Sequence, residues 1–273
     1  MTIEQLIVYG KSKVNSQHAK MLLADLLHKN SLELLNILSE EVDPAITDEY
    51  YRKINLLAEK KPIQYVIGNV NFCGYPFLVN EKVLIPRFET EELVEKTRDR
   101  IRLFFPTAKT LIDLGCGSGA IGITLKKMFP SMEVTLLDIS KDALQVAIEN
   151  AKLNNVTIQP LISDMWSDVT TKFDIIISNP PYIKTTEEID SLVKENEPHL
   201  ALYAGPDGLD CYRKIIANLK EHLNDRYLIA FEIGYTQAEV VSNLLKEQLP
   251  DAVITVEQDL QERDRMVFAM KVD

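Results

Sequence analysis

Between Ser16 and His28 the chain reads S-Q-H-A-K-M-L-L-A-D-L-L-H, in which Ala19, Leu22, Leu23, Leu26 and Leu27 recur at the i, i+3, i+4, i+7 and i+8 positions of one helix face. Ser16 stands where it can cap that helix. Helical periodicity continues around residues 31–38 and 47–58, and Lys60-Lys61-Pro62 closes the run. Residues 1–61 are therefore expected to form a small helical bundle. From Pro62 to Arg87 the texture changes to β-branched and aromatic residues punctuated by Gly68, Gly74 and Pro76. That pattern predicts a β-hairpin linker over 62–86 and a domain boundary near 80–86. Beyond it, strand-like segments at 110–114, 133–137, 157–162, 173–178, 227–233, 252–257 and 266–270 alternate with helical ones, including a helix from Ala120 and another over 142–153. Such alternation predicts an α/β domain over 87–273, a mostly parallel sheet with helices on both faces. The last two strands, joined by a short polar segment, are expected to form an antiparallel edge.

One strand ends in an unusual way. In F-D-I-I-I-S-N-P-P-Y, residues 173 to 182, Ile175, Ile176 and Ile177 form an apolar run without alternation, as in a central strand covered on both faces. Asn179 and the donor-free Pro180 and Pro181 then stop it.

Composition narrows the setting. The chain has 273 residues, 46% hydrophobic and 26% charged, which suits a soluble protein with one large and one small domain. No apolar run approaches the ~18 to 20 residues of a membrane helix, and the opening residues carry no basic leader, so no membrane association is expected and the cytoplasm is the expected location. Cys73, Cys116 and Cys211 are odd in number and never in C-x-x-C spacing, and the histidines are scattered. Neither a disulfide framework nor a metal site is expected. A net charge of -11 would repel a phosphate backbone and favours a basic protein partner over nucleic acid.

The first strand of the α/β domain leads into D-L-G-C-G-S-G-A-I-G, where Gly117, Gly119 and Gly122 spell G-x-G-x-x-G between a strand and a helix. Asp138, ending the next strand, is placed to accept from a ribose diol, which fits NAD and S-adenosylmethionine alike. Two further acids separate them. Asp113 ahead of the first glycine would oppose a pyrophosphate but attract a sulfonium. Asp164, after the third strand, is placed to accept from an adenine amino group. Together the three carboxylates predict a pocket for a cationic nucleoside.

With that cofactor over the first three loops, the loop after the fourth strand, Asn179-Pro180-Pro181-Tyr182, would stand beside the methyl group. It offers the Asn179 side-chain carbonyl and the Pro180 backbone carbonyl, two acceptors held by residues of few conformations. Two acceptors aimed at one point suit an NH2 group whose lone pair is delocalised, orienting it and stabilising the charge that grows as it attacks. Tyr182 is placed to pack against the planar group, and no strong general base is required.

N-P-P-Y in this place resembles amino-group methyltransferases acting on glutamine, on adenine in DNA and on guanine in RNA. The longer set, P-I-Q-Y-V-I-G, F-C-G-Y-P-F-L-V, V-L-I-P-R-F-E-T-E-E-L-V, D-L-G-C-G-S-G-A-I-G, N-P-P-Y-I, E-P-H-L-A-L-Y-A-G-P-D-G-L-D-C-Y-R and D-L-Q-E-R-D-R, resembles the HemK/PrmC family from about residue 62 to the end. The resemblance implies a class I S-adenosylmethionine-dependent methyltransferase, with a Rossmann-like sheet, an antiparallel last strand and a helical N-terminal domain that docks substrate. It implies N5 methylation of the glutamine in the Gly-Gly-Gln motif of class I peptide chain release factors, with S-adenosylhomocysteine as product. Asp113, Gly115, Cys116, Gly117, Ser118, Gly119, Asp138, Ile139, Asp164, Met165 and Asn179 would hold the cofactor. Asn179, Pro180, Pro181 and Tyr182 would hold the glutamine, Asn179, Pro180 and Tyr182 acting catalytically. Arg87 and Glu89 would also bind substrate, and with Glu91, Glu197 and Pro198 would shape the cleft. Phe88 stands where the family has proline, and Ala204-Gly205-Pro206 where it has Gly-Gly-Glu/Asp. A monomer with no need of direct nucleic-acid binding is expected. The rivals are glutamine methylation of a ribosomal protein, N6-adenine methylation of nucleic acid, and a noncatalytic cofactor-binding protein. The acidic charge and the want of a target-recognition domain tell against nucleic acid, and the intact N-P-P-Y tells against loss of catalysis.

Overall fold

In the computed structural model, which describes residues 1–273 apart from the side chain of Ser31, the chain forms two units, residues 1–69 with 190–196 and residues 70–189 with 197–273. Amphipathic helices build the smaller one: α1 (Ile3–Lys11), α2 (Ser16–Leu26), α3 (Ser31–Asn36), α4 (Pro44–Ala58) and α5 (Ile63–Ile67). Leu6 of α1, Leu22 and Leu23 of α2, and Tyr50 and Ile54 of α4 share one core. Asn15, not Ser16, caps α2. Its side-chain oxygen accepts from the His18 backbone N–H at 2.8 Å, which makes Ser16 the first helical residue. The helix expected from residue 47 starts at Pro44, whose missing N–H is harmless in the first turn, with Asp43 capping the Ala45 N–H. Residues 63–67, read as part of the linker, instead form α5, because Ile63 and Val66 are drawn into the helical core.

The hairpin itself follows as β1 (Asn69–Phe72) and β2 (Tyr75–Leu78). Phe72 and Phe77 are buried in the core of the larger unit. The boundary therefore falls at 69/70, ahead of the 80–86 that loop signals suggested. Next come α6 (Phe88–Phe104), β3 (Thr110–Leu114), α7 (Ala120–Met128), β4 (Glu133–Asp138), α8 (Lys141–Leu153), β5 (Gln159–Ile162) and β6 (Phe173–Ser178). After α9 (Ser191–Asn196), which belongs to the helical unit, the chain continues through α10 (Asp210–Ala217), β7 (Leu223–Glu232), α11 (Ala238–Gln248), β8 (Val253–Gln258) and β9 (Asp264–Lys271).

The seven strands from β3 to β9 make one sheet in the order β5-β4-β3-β6-β7-β9-β8. Pairings from β5 to β7 are parallel, and β9 inserts antiparallel between β7 and β8. Successive residues of the central strands enter opposite cores. Leu111, Ile175, Ile177, Leu228 and Ala230 pack on one face with α6, α7 and α8. Ile112, Ile176, Ile229 and Phe231 pack on the other with α10 and α11. The isoleucine run lacks alternation because both faces are dry.

Asn150, fully buried on α8, ties the hairpin to this domain. Its Oδ1 accepts from the Leu78 N–H at 2.6 Å, while its Nδ2 donates to the carbonyls of Leu78 (3.0 Å) and Ser118 (2.9 Å). Truncation would take the partner from three backbone groups, of which the Ser118 carbonyl is buried. Asn150→Ala is expected to destabilise the protein by ~2 to 4 kcal/mol, read as a lowered denaturation midpoint. A change within ~0.5 kcal/mol would show that the tie is dispensable.

Candidate active site

The strand order reverses between β3 and β6, because β4 and β5 step outward on one side of β3 and β6 returns on the other. Such a reversal opens a crevice beyond the carboxyl ends of the two strands. Register fixes what stands there. Asp113 is level with Ile177, and the Ser178 hydroxyl donates to the Leu114 carbonyl at 2.6 Å. The next residue of each strand, Gly115 and Asn179, lines a single cavity of about 370 Å³, within the ~300 to 1,000 Å³ of small-molecule sites.

The glycines divide into two groups. Gly115 (φ 70°) and Gly117 (φ 54°) hold left-handed backbone, and an added Cβ on either would meet nothing within 4 Å. Backbone shape demands them, and the space in front of them is open to a ligand. At Gly122 a Cβ would collide with Leu136, and at Gly119 it would lie 2.9 Å from Ile123, so this pair lets α7 close on β4.

Cys116, Gly117, Ser118, Asp138, Ile139, Asp164 and Met165 all line the cavity, whereas Gly119 does not. Asp138 accepts from the Gly117 N–H and the Ser140 N–H, both at 2.8 Å. A third bond, from the Ile139 N–H, still leaves the carboxylate able to accept from a further donor. Burial nevertheless raises its carboxyl above the ordinary range, with those backbone bonds opposing. Asp164 is half exposed and pairs with Lys214 at 3.3 Å. The loop behind it is pinned by Ser163, whose hydroxyl donates to the Met165 carbonyl and accepts from the Asp168 N–H, both at 3.0 Å.

Asp113 departs from the expectation. It is fully buried and faces inward, accepting from the Gly122 N–H at 3.0 Å, with its Oδ1 unpartnered among the described residues. Burial pushes its carboxyl up to about 7 against the Gly122 bond, and the nearby Asp138 charge adds to the rise. It anchors the start of α7 under the glycine loop instead of meeting a ligand, because the β3 side chain at that position points into the sheet–helix layer.

Of N-P-P-Y, Asn179 and Pro181 line the cavity, Pro180 is buried, and Tyr182 packs against the second core. Gln237 staples the end of the loop. Its Nε2 donates to the carbonyls of Tyr182 (3.1 Å) and Gly208 (3.0 Å), and its Oε1 accepts from the Gly234 N–H. Burial pushes the Tyr182 hydroxyl up to about 12, aided by Glu232, so it is neutral and no base near pH 7. The Asn179 amide nitrogen donates to Thr90 Oγ1 at 3.1 Å, and Thr90 donates to Glu232 at 2.7 Å. Thr90 lines the cavity, whereas Arg87 and Glu89 do not. Arg87 pairs with the buried Glu197 at 2.5 Å, which brings two of the cleft-shaping residues together. Phe88 is the first residue of α6 and exposed, a position where proline would also start the helix.

Thr90, Glu232 and Gln237 escaped sequence reasoning because their partners are remote in the chain. One usable signal existed for Glu232: like Asp138, it is an acid closing an apolar strand.

Both parts of the chain have known relatives. A family model described as "Methyltransferase small domain" matches residues 90–201, and one described as "PrmC N-terminal domain" matches residues 11–68. The chain is 39% identical over 256 residues to a release factor glutamine methyltransferase of Bacillus anthracis, covering 92% of this chain and 90% of the relative. It is 41% identical over 233 residues to the protein of that name from Streptococcus pneumoniae, covering 85% and 81%. The fold is similar to the solved structure of the 16S rRNA N2 G1207 methyltransferase of Thermus thermophilus in complex with AdoMet and guanosine. That similarity has a TM-score of 0.52 at 18% identity and covers 74% of this chain and 49% of the other.

A buried acid held near 7 against an unfolded value of ~3.9 binds its proton more tightly in the folded state, so the stability it contributes is lost as pH rises between those values. Asp113→Asn removes that titration. Its stability relative to the unaltered protein is expected to increase between pH 5 and pH 8, measured by urea unfolding at both. A difference that does not change with pH would mean that Asp113 is already ionised at pH 5.

Proposed function

The chain belongs to the release factor glutamine methyltransferase family, and on that footing we propose that it methylates the side-chain nitrogen (N5) of the glutamine in the Gly-Gly-Gln motif of class I peptide chain release factors, modulating translation termination. The observation that carries this reading is the juxtaposition of Asn179 with the open glycine loop across the β3–β6 switch, in one cavity.

S-adenosylmethionine fits the residues present. The open space before Gly115 and Gly117 admits a ligand without a clash, and the spare acceptor capacity of Asp138 suits a ribose diol. Gly115, Cys116, Gly117, Ser118, Asp138, Ile139, Asp164 and Met165 would hold it, while Asp113 supports the loop from beneath. When bound, the cofactor supplies a methyl group on a sulfonium, which departs as a neutral thioether.

Asn179 Oδ1 and the Pro180 carbonyl accept the two N–H protons of the glutamine amide and orient its nitrogen. An amide nitrogen is a weak nucleophile whose charge rises as the new C–N bond forms, and acceptors on its protons stabilise that charge. Pro181, which lines the cavity, packs on the amide plane, and the surplus proton passes to water after transfer. The neutral Tyr182 hydroxyl takes no part as a base. We assign the helical unit a docking role for the release factor, supported by its exposed Val8, Leu32 and Leu35 and by an overall charge of -11 suited to a basic partner. Such a substrate places the reaction in the cytoplasm.

Incubation with methyl-labelled S-adenosylmethionine and a class I release factor is expected to label the Gly-Gly-Gln glutamine, located by mass spectrometry, and to leave a copy with alanine there unlabelled. Asn179→Ala is expected to lower turnover ~100-fold while cofactor binding persists. Label elsewhere on the factor, or near-normal turnover of the variant, would reject the assignment.

A further inference from the structure

Glu232 closes β7 with only 2% of its surface exposed, between the apolar Phe231 and Ile233 of the second core. Its Oε2 accepts the hydroxyl proton of Thr90 at 2.7 Å, and Thr90 Oγ1 accepts from Asn179 Nδ2 at 3.1 Å. The three residues come from the first turn of α6, the loop after β6 and the end of β7. Thr90 and Asn179 line the cavity, and Glu232 does not.

The order of these bonds has a consequence for the amide. A hydroxyl has one proton, and an ionised carboxylate can only accept. Glu232 takes the Thr90 proton, so Oγ1 meets Asn179 with lone pairs alone. Only Nδ2 satisfies them, because a flipped amide would set Oδ1 against Oγ1 with no proton between. Oδ1 is thereby turned away from Thr90.

We infer that Glu232 is a positioning residue of the methyl-transfer site, acting together with Thr90 to hold the Asn179 amide nitrogen and so keep Oδ1 offered to the substrate nitrogen. The identity of that nitrogen rests on the function proposed above, whereas the fixed orientation of the amide does not.

The groups around Glu232 support the assignment. Burial pushes its carboxyl up to about 7, opposed by the Thr90 bond, the Arg265 charge and a further bond from the Asn179 side chain, with Glu89 adding to the rise. Arg265 is held on β9 by Asp259 at 3.1 Å and by the Ile233 carbonyl at 3.1 Å. Tyr182 contributes a neutral hydroxyl, and Tyr212 on α10 donates to the Glu232 main-chain carbonyl at 2.6 Å. Protonated, Glu232 becomes a donor, the Thr90 proton is released toward Asn179, and the amide can turn. The charged form is the working one, and turnover falls as pH drops below about 7.

The test uses the full-length protein with Thr90→Val, Thr90→Ser, Glu232→Gln and the Val/Gln double variant. Thr90→Val is expected to lower turnover on the release factor ~10- to 100-fold, with cofactor affinity changed by less than about twofold. Thr90→Ser restores turnover to within about threefold of the original. The double variant is no worse than its more affected parent, since both break one chain. Glu232→Gln also loses the acidic limb of the pH profile. Independently of substrate, the Asn179 side-chain NH2 signal in 15N-asparagine spectra, assigned by its loss in Asn179→Ala, is expected to be protected from exchange and to lose that protection in Thr90→Val. An unchanged signal in Thr90→Val, turnover within threefold of the original, or additive losses would each overturn the inference. If the unaltered protein methylates no release factor, the proposed substrate fails, and the amide signals alone decide whether Glu232 positions Asn179.

Discussion

Parallel pairing of β3 with β6 sets Leu111 level with Ile175 and Asp113 level with Ile177, and two separate cores enforce that register. Ile112 and Ile176 belong to one core and Leu111, Ile175 and Ile177 to the other, so a slip of one residue would drive every side chain of β6 into the wrong layer. Burying such side chains contributes ~1.5 to 3 kcal/mol each, which makes the register a consequence of apolar packing. The site inherits it. The Ser178 hydroxyl on the Leu114 carbonyl carries the alignment one step past the ladder, and the glycine loop and Asn179 arrive side by side without any direct bond having to hold them.

Around that switch the domain places acids at strand ends where an apolar residue would fold more stably. Asp113, Asp138 and Glu232 are all buried, and burial raises each carboxyl above its ordinary range. Each accepts a hydrogen bond from a different loop or helix: Gly122 at the start of α7, Gly117 and Ser140 beside the cavity, and Thr90 at the start of α6. A strand end is the stiffest point beside the crevice, so an acceptor fixed there can orient a loop that has little structure of its own. Stability given up at these positions is exchanged for order in the loops, as is usual where a site must be preorganised.

This division explains what could be read from the residues alone. The β3 to β6 strands were legible because burial on both faces leaves a run of β-branched residues, and the glycine loop and N-P-P-Y were legible because backbone demands leave Gly and Pro in fixed order. Helix α6 was not, since its buried stripe is only Thr90, Leu93, Val94, Thr97 and Ile101 among many charges. Asn15 was overlooked as a cap because Asn and Ser are nearly equal in that role and only geometry separates them. The carboxylate of Asp113 was placed at the ligand by its position in the motif, yet side-chain direction along β3 turns it inward. Thr90 and Glu232 lie 142 positions apart in the chain, and local spacing carries no trace of such a bond.

The chemistry proposed for the site shows why that invisible bond matters more than a base would. An amide nitrogen has its lone pair delocalised into the carbonyl, and removing a proton from it beforehand would require a base far stronger than any side chain here. Accepting its protons asks only for oxygens in the right places. The Pro180 carbonyl is placed by its own ring and by its neighbour, but the Asn179 amide can rotate, and its two ends are similar in size and opposite in polarity. A flip would present donors where acceptors are needed and cancel the advantage. Rigid backbone cannot prevent that, because the rotation is about the side chain's own bond. Only a partner that distinguishes nitrogen from oxygen can do so, and a hydroxyl whose single proton is already committed to a buried carboxylate is such a partner.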